Sequence, residues 1–259
     1  MSTSDVLQCE QHGSVRILRL NDYKTRNSLS DGMRAALAQA WRDALEDDGV
    51  RVVFLTGSRG FFCSGGNLET LSKLGSPWDV HQRFSNLGSW LLPLIRYPKP
   101  VVVGLNGPAI GGGMGLALTG DVIVASESAT LVSPFFKVGV VPDVATMYML
   151  PRLLGMARAK NFIFGNGVMD AATGRDLGLL DEVVPDALLE EAGLKKAEAL
   201  ARGPVRAMGL AKQIMGRSFE SDLEGMFMYE SLGQSLAMSN DEFREGVNAF
   251  LERRKPGFE

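Results

Sequence analysis

Hydrophobic and polar positions along this chain repeat one order: a short apolar run, a glycine-bearing turn, then a longer stretch of helical period. Val15 to Leu20 reads as a strand of partly alternating character, followed by the polar loop NDYKTRNSLS. Ser30 or Asp31 then caps a helix over Met33 to Leu45, with Gly49 after its end. Val52 to Gly57 is a second buried strand that runs into the glycine loop SRGFFCSGGNLETL. Thr70 to Pro77 reads as a loop, and Trp78 to Ile95 as a helix broken near Pro93. Val101 to Val103 is a strand that ends at the turn Asn106-Gly107-Pro108. Gly111 to Gly113 and the apolar run Met114 to Leu118 follow. Strands are expected at Asp121 to Ala125 and Ala129 to Val132, a loop from Phe135 to Pro142, and a helix over Val144 to Leu154. Beyond Ala157 the pattern is helical, with loops at Gly165–Gly167 and Gly203-Pro204 and one short strand at Val183-Val184. Strand, turn and helix alternate from about residue 15 to about residue 155, which predicts an α/β protein with a parallel sheet and crossover helices.

Composition narrows the classes. At 259 residues and 45% hydrophobic content the chain builds one sizeable core. Lys and Arg number 27 against 30 Asp and Glu, so neither nucleic acid nor a membrane surface is an expected partner. No apolar run approaches the roughly 20 residues that span a bilayer. The opening MSTSDVLQCE is polar and mildly acidic, unlike a signal or transit peptide, and a cytoplasmic location is expected. Cys9 and Cys63 form no disulfide framework, and two histidines with two scattered cysteines build no His/Cys metal site. The methionines of the C-terminal region read as core or subunit interface.

Candidate chemistry lies in two glycine turns. One is Phe61 to Leu68, after the Val52 strand; the other is Ile110 to Gly113, after the Val101 strand. In a parallel sheet both strand ends share one edge. Each turn can offer a backbone N–H to the same carbonyl oxygen, which makes an oxyanion hole. The alternative is a tight strand-to-helix turn packed for shape. No acidic residue stands about 20 residues after Gly111 at a strand end, so the dinucleotide fingerprint is not met, and there is no Walker sequence.

Phe62-Cys63-Ser64-Gly65-Gly66-Asn67-Leu68 resembles the FCAGxDL loop of the crotonase (enoyl-CoA hydratase/isomerase) superfamily. Lys99-Pro100-Val101 with Asn106 to Gly113 resembles its second signature, Asp121 to Ala125 its following strand, and Phe250 to Pro256 its usual ending. The resemblance implies a spiral of ββα turns over residues 1–200, carrying the CoA and oxyanion site, and a helical C-terminal trimerisation region over 201–259. It also implies a homotrimer or dimer of trimers, acting on an acyl-CoA through a thioester enolate. Coenzyme A would be part of the substrate, with no separate cofactor and no metal. By motif position the oxyanion donors would be the N–H groups of Ser64 and Gly112. CoA contacts would come from Lys24, Arg26, Ser64, Gly65, Gly66, Asn67, Leu68 and Lys255, with Asn67 in place of the family's common Asp. Phe135, Phe136 and Trp90 are candidates to line the acyl pocket; core packing is the other reading of each.

The carboxylates select among reactions. Hydratases of the family use two glutamates; at those positions this chain has Gly115 and the Pro134-Phe135 pair. Asp143 remains, in the apolar stretch Val138 to Ala145. Apolar neighbours raise a carboxyl pKa and suit it to act as a base. Asp between Pro142 and a helix is equally an ordinary N-cap. Isomerases of the family carry one Glu or Asp in this loop, so the resemblance implies an acyl-CoA double-bond isomerase with Asp143 as proton shuttle. The Pro142-Asp143 form is similar to the isomerases of phenylacetyl-CoA breakdown. The segment Asp143 to Tyr148 also resembles that of 4-chlorobenzoyl-CoA dehalogenase, but the position of that enzyme's His is Gly88 here and His81 lies two turns earlier. Aromatic-CoA ring isomerisation, dehalogenation, hydration and a non-catalytic acyl-CoA binding protein are the alternatives.

Overall fold

The computed structural model describes residues 6–73 and 75–258. The first five residues of the polar opening, Leu74 in the Thr70–Pro77 loop and the terminal Glu259 lie outside them. The chain begins with strands β1 (Leu7–His12) and β2 (Val15–Leu20), helix α1 (Asp31–Glu46) and strand β3 (Val52–Thr56). Helices α2 (Leu68–Leu71), α3 (Pro77–Ser85) and α4 (Leu87–Ile95) lead to β4 (Val101–Leu105), β5 (Ala109–Ile110) and α5 (Gly112–Ala117). Then come β6 (Val122–Ser126), β7 (Thr130–Val132), α6 (Thr146–Leu154), α7 (Met156–Phe164), β8 (Val168–Asp170), α8 (Ala171–Asp176) and β9 (Glu182–Val184). Helices α9 (Leu189–Ala201), α10 (Val205–Met215), α11 (Leu223–Met238) and α12 (Asp241–Leu251) complete the chain.

Six strands form one sheet in the order β1-β2-β3-β4-β6-β9, antiparallel only between β1 and β2. A second sheet joins β5, β7 and β8. The central strands are covered on both faces, which is why they read as continuous apolar runs rather than alternating ones. Val53, Leu55, Val101 and Val103 enter the larger core with Leu37 and Trp41 of α1 and Leu94 of α4. The opposite pleat face, Ile17, Val52, Phe54 and Val102, packs on Ala197 and Ala201 of α9. Because β3 and β4 are parallel, with Val53 beside Val101, the loops that follow them leave the same edge.

Several local expectations are corrected. Strand β1 is not legible in the sequence because its half-exposed LQCEQH is mostly polar; Gly13 at φ +55° lets it turn back on β2. The expected helix over Trp78 to Ile95 is two helices, and the break falls at Asn86 rather than Pro93. Asn86 and Gly88 are weak helix formers, while Pro93 is tolerated inside α4. The four-residue helix α2 occupies part of the expected loop, with the Asn67 side chain accepting from the Thr70 N–H at 3.0 Å. Helix α6 begins at Thr146 rather than Val144, because Val144 and Ala145 are both left-handed, at φ +47° and +60°. No helix among the described residues is long and apolar enough to cross a membrane.

Candidate active site

Three segments meet at the shared edge of β3 and β4. The loop after β3 pairs with the start of β5: the Ile110 N–H donates to the Cys63 carbonyl at 2.9 Å, and the Cys63 N–H to the Pro108 carbonyl at 3.3 Å. The contact is backbone against backbone. A Cβ on Gly113 would lie 2.2 Å from the Cys63 carbonyl oxygen, and one on Gly65 2.4 Å from that of Ile110. Gly65 is also left-handed, at φ +78°. Gly113→Ala is therefore expected to force the loops apart, costing about 1–3 kcal/mol or more. A thermal melt that matches the wild type would contradict this packing.

The polar loop before α1 fixes the first glycine turn from the other side. Asn27, fully buried and at φ +59°, donates through Nδ2 to the carbonyls of Phe61 and Phe62 at 2.9 and 3.2 Å. The Ser64 hydroxyl donates to the Thr25 carbonyl at 2.7 Å, and the Leu29 N–H to the Gly65 carbonyl at 2.8 Å. Asn27 thus works as a positioning residue. The sequence signal for it is an Asn, which tolerates left-handed backbone, beside a polar turn.

This stitching corrects one expected role. The Ser64 N–H donates to the Arg26 carbonyl at 3.0 Å and so does not face the site. The Gly65 N–H turns back on the Cys63 sulfur at 3.4 Å. Gly66 supplies the N–H that has no acceptor among the described residues, and Gly66 lines the same pocket as Asp143. Gly112, whose nitrogen lies 3.1 Å from where a Gly65 Cβ would sit, carries a second N–H with no acceptor among them. Gly66 and Gly112 therefore each carry a backbone N–H near Asp143 with no acceptor among the described residues.

Asp143 approaches from the third segment. Its Oδ1 lies 3.4 Å from the position of a Cβ on Gly112. The N-cap alternative is settled by geometry: α6 has no side-chain cap, and Asp143 bonds it only through its backbone carbonyl, which accepts from the Thr146 N–H at 2.9 Å. The carboxyl itself caps no helix. Burial among apolar neighbours pushes its pKa up, while a bond from its own N–H and the Arg34 charge oppose the shift. The pocket around it holds about 20 Å³, walled by Leu29, Leu71, Phe84 and Leu87 with Arg34 and Arg83.

The left-handed kink after Asp143 explains Gly115. A Cβ there would lie 2.1 Å from the Val144 carbonyl oxygen and 2.9 Å from the Thr146 hydroxyl. The backbone that carries Asp143 fills the space a glutamate would need. A β-branched residue at positive φ is strained, and such strain gathers at functional sites.

Other expected site residues disperse. Phe135 is buried against Gly111, its ring 3.6 Å from where a Cβ would sit. Phe136 is exposed and pairs with Phe164, ring centroids 5.6 Å apart. Trp90 is buried and lines a separate groove with Trp41 and Tyr97. The apolar residues that line the Asp143 pocket are instead Leu71, Phe84 and Leu87, which the sequence offered only as parts of a loop and a helix. Lys24, Arg26 and Leu68 are exposed near the glycine turn, with Arg26 over the Phe61 ring at 5.1 Å. Lys255 is exposed on the C-terminal tail, which the Arg254–Glu245 ion pair holds to α12. His81 sits on exposed α3 with its ring nitrogen 3.2 Å from the Ser85 hydroxyl. Cys63 is fully buried, its thiol pushed up to about 12 by desolvation, and so is inert.

A parallel sheet whose loops bring two backbone N–H groups without acceptors beside one half-buried carboxyl defines a class of acyl-transfer and enolate sites. The chain belongs to the enoyl-CoA hydratase/isomerase family, the crotonase superfamily of acyl-CoA enzymes, whose description matches residues 10–259. It is 35% identical over 253 residues to the 1,2-epoxyphenylacetyl-CoA isomerase of Escherichia coli, covering 94% of each chain. It is 32% identical over 251 residues to a putative enoyl-CoA hydratase of Thermus thermophilus, covering 96% of this chain and 98% of that one. Among solved structures, the enoyl-CoA hydratase/isomerase of Cupriavidus metallidurans superposes with a TM-score of 0.94 at 31% identity, covering 100% of this chain and 97% of that one. The enoyl-CoA hydratase of Bacillus anthracis superposes at 0.91 and 30% identity, covering 97% and 98%.

Proposed function

We propose that this protein is an acyl-CoA double-bond isomerase of the Δ3-to-Δ2 enoyl-CoA type. The thioester oxygen sits between the Gly66 and Gly112 N–H groups, which stabilise the enolate as charge develops there. Asp143 takes a proton from one carbon of the acyl chain and returns it to another. Coenzyme A enters as part of the substrate, past Lys24 and Arg26, and no separate cofactor is required. The acyl chain displaces the α2–α3 wall, where neither helix has a buried residue.

The observation that carries this reading is the one carboxyl, Asp143, among the described residues lining the pocket at the glycine turns, with Gly115 closed off by the Val144 carbonyl. One carboxylate suffices to move a proton between carbons, and the glutamate that the family's two-glutamate hydration would place at Gly115 has no counterpart here. The name of the Escherichia coli relative, an isomerase, favours the same reaction class and makes aromatic-CoA ring isomerisation the second reading. Dehalogenation has no comparable support: the pocket walls contain no histidine, and Gly88 stands where one would be needed.

A 3-enoyl-CoA assay tests the proposal: conjugated 2-enoyl-CoA absorbance should rise with enzyme concentration, and no rise would overturn it. The pH profile is a further check. Asp143 must be ionised to act as a base and its pKa is raised, so kcat/KM should climb with pH through a midpoint above the ordinary carboxylate range. A midpoint at or below that range would contradict the assignment.

Assembly is part of the proposal. Phe227, Met228, Leu232 and Leu236 of α11 and Phe250 and Leu251 of α12 are exposed, an apolar surface suited to other copies of the chain. Sedimentation should give a trimer or a dimer of trimers, and a monomer would count against it.

A further inference from the structure

Two arginines face the same pocket as Asp143 and are not explained by proton transfer. Arg34 lies in the first turn of α1, and Arg83 near the end of α3. Their side chains are only 18% and 10% exposed. Both are held by one oxygen, Asp31 Oδ1, at 2.7 Å in the case of Arg83. Each guanidinium offers five N–H donors in a planar fork, and each has this one hydrogen bond among the described residues. Two largely buried cations therefore share one carboxylate, itself 70% exposed. Asp143 is the acidic residue in the lining of this pocket, and Asp31 stands outside that lining. It is neutral for the part of the cycle in which it carries the substrate's proton. Partly desolvated cations in excess of their counter-ions are costly unless an anion joins them. Forked donors match the planar geometry of a carboxylate.

We infer that Arg34 and Arg83 form a specificity subsite for an acyl group ending in a carboxylate, so that the enzyme prefers half-thioesters of dicarboxylic acids to plain fatty acyl-CoAs. This rests on the acyl-CoA reading above. The subsite stands on the acyl side, sharing its pocket with Asp143 and with the apolar wall of Leu71, Phe84 and Leu87. With the α2–α3 wall moved outward by the acyl chain, its methylenes lie along Leu71, Phe84 and Leu87, and the terminal carboxylate accepts from the guanidinium N–H groups.

Calorimetric titration of the full chain with adipoyl-CoA, hexanoyl-CoA and coenzyme A tests the inference. A charge-assisted pair predicts that adipoyl-CoA binds about 10- to 100-fold more tightly than hexanoyl-CoA. Arg83→Gln should erase that preference, and Arg83→Lys should restore part of it. The α3 helix that carries Arg83 has no buried residue, so these variants are expected to fold. Equal or weaker binding of adipoyl-CoA overturns the inference while leaving the acyl-CoA reading intact. An Arg83→Gln variant that weakens all three ligands alike also overturns it, by assigning the arginines to a phosphate of coenzyme A. Absence of binding by all three overturns both readings.

Discussion

Asp143→Asn is expected to lower kcat for isomerisation by about 10²- to 10⁴-fold, the range for loss of a positioned general acid–base group. Acyl-CoA binding should survive, because Asn is isosteric and the Gly66 and Gly112 donors are unaffected. The same variant should melt at a higher temperature at neutral pH, for the following reason. Burial raises the folded-state pKa of Asp143 above its unfolded value. A raised pKa means that the folded protein holds the proton more tightly than the unfolded chain. The stability this gives is fully present below the unfolded pKa and is lost as pH rises through the folded one. At neutral pH the ionised carboxylate is therefore a liability to folding, and a neutral amide relieves it. Loss of turnover with a gain in Tm is the signature of a partly desolvated catalytic base. Full activity in Asp143→Asn, read by the absorbance of the conjugated thioester, would dismiss the role.

Gly115→Glu carries the second large effect. The substitution supplies the first glutamate that a two-carboxylate hydratase would use, yet it should not confer hydration. The new Cβ would stand 2.1 Å from the Val144 carbonyl oxygen, so the kink at Val144 and Ala145 has to move. That kink holds Asp143 beside Gly112. Overpacking of this kind costs about 1–3 kcal/mol and often more when backbone must shift. Misplacing a catalytic group by about 1 Å can cost about 10²-fold. The variant should therefore lose isomerase activity by roughly that factor and melt several degrees lower. A stable Gly115→Glu protein that hydrates 2-enoyl-CoA would show that the space is open and that Asp143 is not placed by the kink.

Much of this architecture is legible in the chain. Val52 to Thr56 and Val101 to Leu105 are apolar throughout because both faces are covered, and their parallel pairing follows from the helices between them. The glycines after each strand are legible as well, since only glycine permits the backbone contact at Gly113 and Cys63. What sequence pattern does not carry is the direction of a single N–H. Ser64 and Gly66 are two residues apart, and their roles are decided by the Arg26 carbonyl, contributed by a loop nearly 40 residues earlier in the chain. The left-handed pair Val144-Ala145 is equally hidden, because neither residue type favours that conformation and only packing on Gly115 imposes it. The destinations of the aromatic residues are hidden for a related reason. Trp90 and Phe136 are large and near the motifs in sequence, but helix packing sends one to Trp41 and the other to Phe164. The arginine pair is not legible in the sequence, because Arg34 and Arg83 are far apart along the chain and each reads as an ordinary solvated residue on its own helix.

The central claim is that one carboxylate moves a proton along the acyl chain and no water is activated. Incubation with a 2-enoyl-CoA in heavy-oxygen water, followed by mass spectrometry of the thioesters, tests it most directly. The account predicts a mixture of double-bond isomers with no incorporated oxygen, formed by the wild type and not by Asp143→Asn. A labelled 3-hydroxyacyl-CoA as the main product would contradict it.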